Sequence, residues 1–219
     1  MKKILLSIMS LFLVASLAGC SNTTLTSGDQ SDDQNVQEEQ NSEAITFTTK
    51  IDADYEVTME FEGYGKVVLE LDEDKAPETV KNFVSLVEEG FYDGLTLHRI
   101  MAGFMMQGGD PTGTGYSGSD KEIVGEFAAN GFYQNNLSHT RGAISMARSQ
   151  NPDSASSQFF IVHENSEFLD GSYAAFGYVV SGMEIVDAIC NDAQPIDDNG
   201  TIPAENQPVI TQVSVKPLK

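Results

Sequence analysis

The sequence has 219 residues, and its 33 acidic side chains against 12 Lys and Arg give a formal net charge of −21. Nucleic-acid-binding proteins need a basic surface to neutralise phosphates, so this charge argues against that class and against polybasic binding to anionic lipid. The two cysteines, Cys20 and Cys190, are too few for a disulfide framework or for a zinc site built on several cysteines.

Residues 1–19 have the pattern of an export signal peptide. Lys2 and Lys3 precede an apolar run of about 15 residues, shorter than the roughly 20 that a membrane span needs. The run ends in Leu17-Ala-Gly-Cys20, which resembles the lipobox of bacterial lipoproteins, in which the cysteine is lipidated and becomes the mature N-terminus. We therefore expect a lipid anchor on Cys20. The alternative is an ordinary secreted protein with an unmodified cysteine.

Residues 20–44 are predicted to form a disordered acidic tether. Ser21 to Glu43 contains six acids, no Lys or Arg and no aromatic residue. Such a segment buries too little apolar surface to offset the entropy lost on ordering. We expect it to hold a globular domain, residues 45–219, at the extracytoplasmic face of the membrane.

Hydrophobic periodicity predicts a domain of many short strands and two helices. The alternating segment Tyr55–Phe61, a turn at 63–65 and Lys66–Leu71 together read as a hairpin. A helix is predicted over 76–90, with Pro77 in its first turn and Gly90 at its end. Further strands are predicted at 97–100, 104–107, 143–146, 158–162, 175–180 and 209–215, and a second helix at 183–190. This combination of many short strands and two helices favours an antiparallel barrel or sandwich.

Two sequence patterns could suggest a cofactor or metal site, but their surroundings in the sequence do not support one. Residues 113–118 satisfy G-x-G-x-x-G, but the flanking sequence predicts a loop where a dinucleotide site needs a strand and a helix. The histidines His98, His139 and His163 lack ligand spacing. We therefore expect neither a cofactor nor a metal.

Residues 91–177 combine amides and the strand residue Arg99 with aromatic and methionine side chains. Alternation along strands places Arg99, Gln107 and Gln158 on one surface beside apolar residues. Taken alone, this pattern also fits plain core packing around a capped arginine.

The motifs in this region resemble those of the cyclophilin family of peptidyl-prolyl isomerases. They are Phe91-Tyr-Asp-Gly-Leu-Thr-Leu-His-Arg-Ile100, Gly103-Phe-Met-Met-Gln-Gly-Gly-Asp110, Ser157-Gln-Phe-Phe-Ile161 and Phe168-Leu-Asp-Gly171, in family order and spacing. The resemblance runs from near Val57 to about Val215. It implies a mainly β fold, a closed eight-stranded antiparallel barrel capped by two α-helices.

The resemblance also implies a function. We expect a monomeric peptidyl-prolyl cis-trans isomerase that needs no cofactor, acts on proline-containing polypeptides and assists the folding of exported proteins. Two alternatives remain open. One is a proline-peptide-binding chaperone or scaffold module with incidental turnover, and the other is a structural or solute-binding lipoprotein that shares only the barrel.

Family roles carry over to individual residues. Arg99 matches the catalytic arginine, with Phe104 and Gln107 beside it in the catalytic group. The expected substrate-binding residues are Met105, Gly113, Ala147, Arg148, Gln158, Phe160, Phe168, Leu169 and Tyr173.

Three departures from the family pattern bear on ligand choice. Phe168 stands where many eukaryotic members have a tryptophan that helps to bind cyclosporin, so we expect weak cyclosporin binding. Arg148 replaces an asparagine, and we expect its groove contact to run through the backbone. Ser172 and Tyr173 replace a Lys-His pair at the pocket rim, which bears on peptide choice.

Overall fold

The computed structural model describes residues 45–219, which form eight β-strands, two α-helices and three short 3-10 helices. The strands are β1 (Tyr55–Phe61), β2 (Gly65–Leu71), β3 (Leu97–Met101), β4 (Met105–Gly108), β5 (Ala143–Met146), β6 (Phe159–Val162), β7 (Ala175–Ser181) and β8 (Ile210–Pro217). The helices are α1 (Pro77–Glu88) and α2 (Met183–Asp192), and the 3-10 helices span Ala128–Asn130, Glu167–Leu169 and Ala204–Asn206. The predicted strands and helices are confirmed, each within two residues of its expected bounds.

The signal peptide, the lipidated Cys20 and the tether that the sequence predicts fall in residues 1–44, outside the described residues. Neither α-helix of residues 45–219 has the length and apolar character that crossing a membrane requires.

The eight strands form one antiparallel sheet in the order β3-β4-β6-β5-β7-β2-β1-β8. The predicted β1–β2 hairpin is confirmed, with Val57 opposite Leu69 and Met59 opposite Val67. The inward-facing residues of both strands are fully buried while their neighbours are partly exposed, because side chains alternate across a half-buried sheet.

The expected closed barrel is not confirmed, because β3 and β8 are the edges of an open half-barrel. The two edge strands are bridged just before their first residues, where Thr96 and Val209 form an isolated antiparallel bridge. Farther along β3, the Ile100 N–H donates to Gly200 O at 2.8 Å and the His98 carbonyl accepts from Ile202 N at 3.0 Å. The loop before β8 thus takes the backbone hydrogen bonds that a continuing β3–β8 ladder would need.

Apolar side chains cover both faces of β6, whose four residues are all buried. Phe159 faces the main core, where it packs edge-on against Phe83 of α1 and against Tyr92. Phe160 faces a second, smaller cluster that includes Met105 and Leu137. Because successive strand residues point to opposite faces, one strand supplies both the core and the wall of a surface cavity.

Candidate active site

A cavity of about 450 Å³ opens where β3, β4 and β6 meet several loops. The strands contribute His98, Arg99, Met105, Gln107 and Phe160 to its lining. The remaining lining residues are Phe104, Thr114, Gly115, Tyr116, Ala147, Arg148, Leu169, Tyr173, Asn199 and Thr201. A second cavity of about 580 Å³, rich in serine and glycine, adjoins it along Gln107 and Tyr116.

The guanidinium group of Arg99 is fixed at the edge of the first cavity by three acceptors. Its Nε donates to Asn199 O at 2.7 Å, and one terminal nitrogen donates to Gln107 Oε1 at 3.1 Å. The other terminal nitrogen lies 3.3 Å from Met101 Sδ. Burial lowers the pKa of Arg99 from its usual value, while nearby Tyr173 and Asp197 act in the opposite direction. An arginine remains protonated in proteins, so Arg99 presents an oriented positive charge at the edge of the cavity.

An amide chain extends from Arg99 to the wall of the second cavity. Gln107 Nε2 donates to Gln158 Oε1 at 2.9 Å, which leaves the Gln107 carbonyl free to accept from Arg99. Gln158 Nε2 in turn donates to Ser117 O at 2.7 Å and to Gly115 O at 3.2 Å. This chain fixes the orientation of both amides and connects the arginine to the loop opposite.

The floor and walls of the first cavity are apolar. Phe160 is 5% exposed, and its ring meets Tyr173 edge-on at 6.0 Å between centroids. Phe104, Met105 and Leu169 complete this surface. The arrangement pairs a small apolar pocket with an adjacent hydrogen-bond donor, as in sites that bind a compact apolar group next to a carbonyl.

The side chain of Arg148 is held by two aromatic rings and two backbone carbonyl groups. Its guanidinium lies 5.0 Å from the Phe127 ring centroid and 4.6 Å from that of Tyr173. It also donates to Ser149 O at 2.9 Å and to Ser172 O at 2.8 Å. The side chain therefore connects two loops of the site, and the expected backbone contact with a ligand stays a prediction.

The structure brings most of the predicted site residues together. Nine line the first cavity: Arg99, Phe104, Met105, Gln107, Ala147, Arg148, Phe160, Leu169 and Tyr173. Gln158 lines the second cavity instead, and Phe168 lies beside the first with its ring centroid 5.7 Å from that of Phe104. Gly113 lines neither cavity, because its carbonyl is turned to Gln207 Nε2 at 2.9 Å and its φ of +65° makes it a turn residue.

Sequence reasoning missed six lining residues. Thr114, Gly115 and Tyr116 belong to the glycine-rich segment 113–118, and the signal that could have marked this loop is Asp110 before it, a typical acceptor for loop N–H groups. His98 points into the site next to Arg99, and burial lowers its pKa, which favours the neutral imidazole. Asn199 and Thr201 come from a loop about 100 residues away, and no local signal marks them.

The remaining ionisable clusters of the domain are structural. His163 pairs with Asp187 at 3.1 Å, and within residues 45–219 no group of three or more His, Cys, Asp or Glu side chains is arranged to hold a metal ion. Cys190 is 2% exposed, and burial raises the pKa of its thiol to about 12. It is therefore an inert core residue at neutral pH.

Comparison with known proteins identifies the family. Residues 56–215 match the family model for cyclophilin type peptidyl-prolyl cis-trans isomerases. A peptidyl-prolyl cis-trans isomerase of Acinetobacter baylyi is 42% identical over 132 residues, which cover 58% of this chain and 68% of that protein. Peptidyl-prolyl cis-trans isomerase B of Bacillus subtilis is 45% identical over 126 residues, which cover 58% of this chain and 84% of that protein.

The fold matches as well. A Cryptosporidium parvum cyclophilin type peptidyl-prolyl cis-trans isomerase, crystallised in the presence of the dipeptide Ala-Pro, superposes with a TM-score of 0.64 at 29% identity. The match covers 74% of this chain and 98% of that one. The chain therefore belongs to the cyclophilin family, and its activity is peptidyl-prolyl cis-trans isomerisation.

Proposed function

We propose that the first cavity is the active site and that Arg99 is its central catalytic residue. The observation that carries this proposal is the fixed guanidinium beside an apolar pocket of Phe104, Met105, Phe160 and Leu169. A proline ring fits such a pocket, and its carbonyl oxygen then lies within reach of the arginine donors. The Ala-Pro dipeptide present with the Cryptosporidium parvum relative supports a proline-containing ligand.

The mechanism follows from the physics of the amide bond. Rotation about an X–Pro bond breaks amide resonance and crosses a barrier of about 18–20 kcal/mol. In the twisted state the imide nitrogen loses its conjugation and becomes a better hydrogen-bond acceptor than in either planar isomer. Donors from Arg99 bind that state more strongly than the ground state, which is the differential binding that lowers a barrier. Gln107 orients the arginine through the 3.1 Å hydrogen bond.

Exchange between the isomers of an Ala-Pro peptide tests the role of Arg99. NMR exchange spectroscopy with the full chain purified in detergent gives the catalysed rate, and we expect Arg99→Ala to lower it about a hundredfold. Lys121→Ala is the matched control, because this exposed cation lies outside both cavities. Full activity of folded Arg99→Ala would refute the assignment. Retained peptide binding with lost turnover would separate catalysis from a binding-only module.

We further propose that the enzyme is a monomer, lipid-anchored through Cys20 to the extracytoplasmic face of the membrane, where it assists the folding of exported proteins. The signal-like residues 1–19 and the lipobox-like end at Cys20 support this location. The acidic composition of residues 20–44 supports a spacer between anchor and domain. Uncatalysed prolyl isomerisation takes about 10–100 s at 25 °C. A catalyst at the face of the membrane where exported proteins emerge would therefore remove a slow folding step.

The two cysteines give a matched test of the anchor. In producing cells fed a labelled fatty acid, we expect Cys20→Ala to lose both the label and the membrane fraction, whereas Cys190→Ala keeps both. Equal labelling of the two variants would contradict the anchor. Sedimentation of the detergent-solubilised chain tests the monomer, and refolding of exported proteins in cells that produce Arg99→Ala tests the folding role.

A further inference from the structure

The loop from Asp197 to Thr201 holds Arg99 through a different nitrogen from the one that contacts Gln107. The Asn199 carbonyl accepts the Arg99 Nε–H at 2.7 Å, the shortest of the three contacts of the guanidinium. A backbone bridge between Arg99 and Thr201 fixes the loop beside the same strand. The orientation of the arginine therefore depends on this loop carbonyl as well as on Gln107.

The loop lies unusually close to β3. Gly200 has a φ of +84°, and a Cβ on it would come within 2.5 Å of Met101 Cγ and 2.7 Å of Ile100 O. Real Cβ atoms do not approach backbone this closely, so the crossing requires glycine. Glycine also leaves the two peptide units that flank it freer to rotate, so an additional constraint is needed to hold the Asn199 carbonyl on Arg99.

Asp197 supplies that constraint in two ways. Its backbone carbonyl accepts the Gly200 N–H at 3.1 Å, and this N–H belongs to the same peptide unit as the Asn199 carbonyl. Its carboxylate Oδ1 accepts the N–H groups of Asn199 at 3.1 Å and Thr201 at 3.0 Å, which belong to the peptide units on either side. Three consecutive peptide units are thus fixed by one residue.

We propose that Asp197 is a positioning residue for catalysis, which acts through the Asn199 carbonyl to hold the Arg99 guanidinium in its reactive orientation. This inference rests on the role of Arg99 proposed above. Asp197 lies in the exposed part of the loop and lines neither cavity, so its effect on the reaction is indirect. A guanidinium that is already oriented loses less rotational freedom on reaching the transition state.

Charge and hydrogen bonding can be separated by substitution. Asp197→Ala removes the carboxylate that accepts both N–H groups, whereas Asp197→Asn keeps an Oδ1 acceptor and removes only the charge. Asp198→Ala is the matched control, because Asp198 is an exposed neighbour whose carboxylate accepts no loop N–H. The variants are compared in the full chain purified in detergent, with unfolding curves to show that each is folded.

Two readouts test the proposal: peptide exchange kinetics and the NMR signal of the Arg99 Nε–H, assigned by its absence in Arg99→Ala. We expect Asp197→Ala to lower kcat roughly tenfold with little change in KM, below the hundredfold that a 1 Å displacement of a reacting group can cost. The same variant should lose the protection of the Nε–H against exchange with water. Asp197→Asn and Asp198→Ala should resemble the wild type in both readouts.

Each contrary outcome has its own meaning. Wild-type kcat and Nε–H protection in Asp197→Ala would overturn the proposal. An equal loss in Asp197→Asn would overturn it in favour of a charge effect on Arg99. If Arg99→Ala retained full activity, the proposed role of Arg99 would fail, whereas the Nε–H signal would still show whether Asp197 positions the side chain.

Discussion

Nδ1 of His139 lies 2.9 Å from Oδ1 of Asp170, and this pair connects two walls of the apolar pocket. The His139 ring is fully buried and stacks on Phe160, with 6.0 Å between centroids and 18° between planes. Asp170 directly follows the 3-10 helix Glu167–Leu169, which presents Leu169 to the pocket. The backbone N–H of His139 also donates to Asp170 Oδ1, at 2.6 Å.

The charge of Asp170 should stabilise the fold in a pH-dependent way. Burial raises the pKa of its carboxyl, but hydrogen bonds from His139 and Ser138 outweigh burial, so that pKa lies below its usual value. Because the folded pKa is lower than the unfolded value of about 3.9, the contribution is complete above that pH and is lost as the pH falls through the folded pKa.

We expect Asp170→Ala to lower the free energy of unfolding by about 2–3 kcal/mol at pH 7, because it leaves buried donors of His139 and Ser138 unpaired. Urea unfolding between pH 7 and pH 3 measures this, and the difference from the wild type should narrow below about pH 4. Glu167→Ala, an exposed acid three residues away, should change the stability little. A difference that stayed constant over the whole pH range would contradict the role of the charge.

The sequence predicts the strands and helices of this fold well, but it does not predict whether the sheet closes into a barrel. The alternating residues of Tyr55–Phe61 predict a strand, and Pro77 and Gly90 predict the two ends of a helix. Both patterns depend only on residues within one segment, which is why these elements are confirmed. Periodicity within a strand carries no information on whether its edge is paired. The open edge at β3 results from a loop near Gly200, more than 90 residues away, that occupies the hydrogen bonds of the strand.

The same limit applies to the site. Arg99, Gln107 and Phe160 lie on strands within recognisable motifs, and strand alternation places them on one surface. Asn199 contributes only a backbone carbonyl, for which residue type carries no signal. The motif position of Gly113 predicts a place in the groove, whereas in the structure its carbonyl accepts from Gln207 Nε2 and it lines neither cavity. Local sequence therefore predicts side chains on regular elements and misses contacts made by loop backbones.

Glu126 should be a main stabilising residue of α1. The helix has no side-chain cap of its own at Ala76, and the Glu126 carboxylate accepts the N–H groups of Glu78 at 2.9 Å and Thr79 at 2.8 Å. A negative group at a helix N-terminus satisfies unpaired donors and interacts favourably with the helix dipole.

We expect Glu126→Gln to lower the free energy of unfolding by about 2 kcal/mol, because one carboxamide oxygen cannot replace two carboxylate oxygens at a buried helix start. Chemical denaturation at neutral pH measures the loss. Glu122→Gln is the control, since this exposed acid accepts no helix N–H. Equal stability of the two variants would show that the helix start is satisfied in another way.

Asp110 should organise the loop between the two cavities. Its carboxylate accepts the N–H groups of Thr112 at 2.7 Å, Thr114 at 3.1 Å and Ser117 at 3.3 Å. Burial raises the pKa of this carboxyl, but the hydrogen bonds from Thr112, Ser117 and Gly115 outweigh burial and lower it overall. The anion is therefore the stable form at neutral pH, and the loop is wrapped around it.

We expect Asp110→Ala to lower the free energy of unfolding by about 3 kcal/mol and to raise KM for an Ala-Pro peptide several-fold, because the loop donors lose their common acceptor. Urea unfolding and peptide exchange rates measure the two effects. Asp120→Ala, an exposed acid later in the same loop, should leave the stability unchanged. An unchanged KM in folded Asp110→Ala would mean that the loop does not shape the substrate site.

Phe168 should limit which ligands the rim of the pocket binds. Its side chain is 74% exposed, and its ring lies tilted beside that of Phe104 with 5.7 Å between centroids. Phenylalanine offers apolar area without a donor, whereas tryptophan adds area and an indole N–H. The resemblance matches Phe168 to a tryptophan that helps many eukaryotic cyclophilins to bind cyclosporin, so we expect the native residue to give weak binding.

We expect Phe168→Trp to tighten cyclosporin binding about tenfold, since an aromatic contact with an added donor contributes roughly 1.4 kcal/mol, which is tenfold in affinity. Inhibition of peptide exchange by increasing cyclosporin measures the change. Tyr133→Trp is the matched control, because this side chain is 68% exposed and lines neither cavity. Unchanged inhibition of Phe168→Trp would show that the rim residue does not contact the drug. The affinity for cyclosporin would then depend on the pocket of Phe104, Met105 and Phe160.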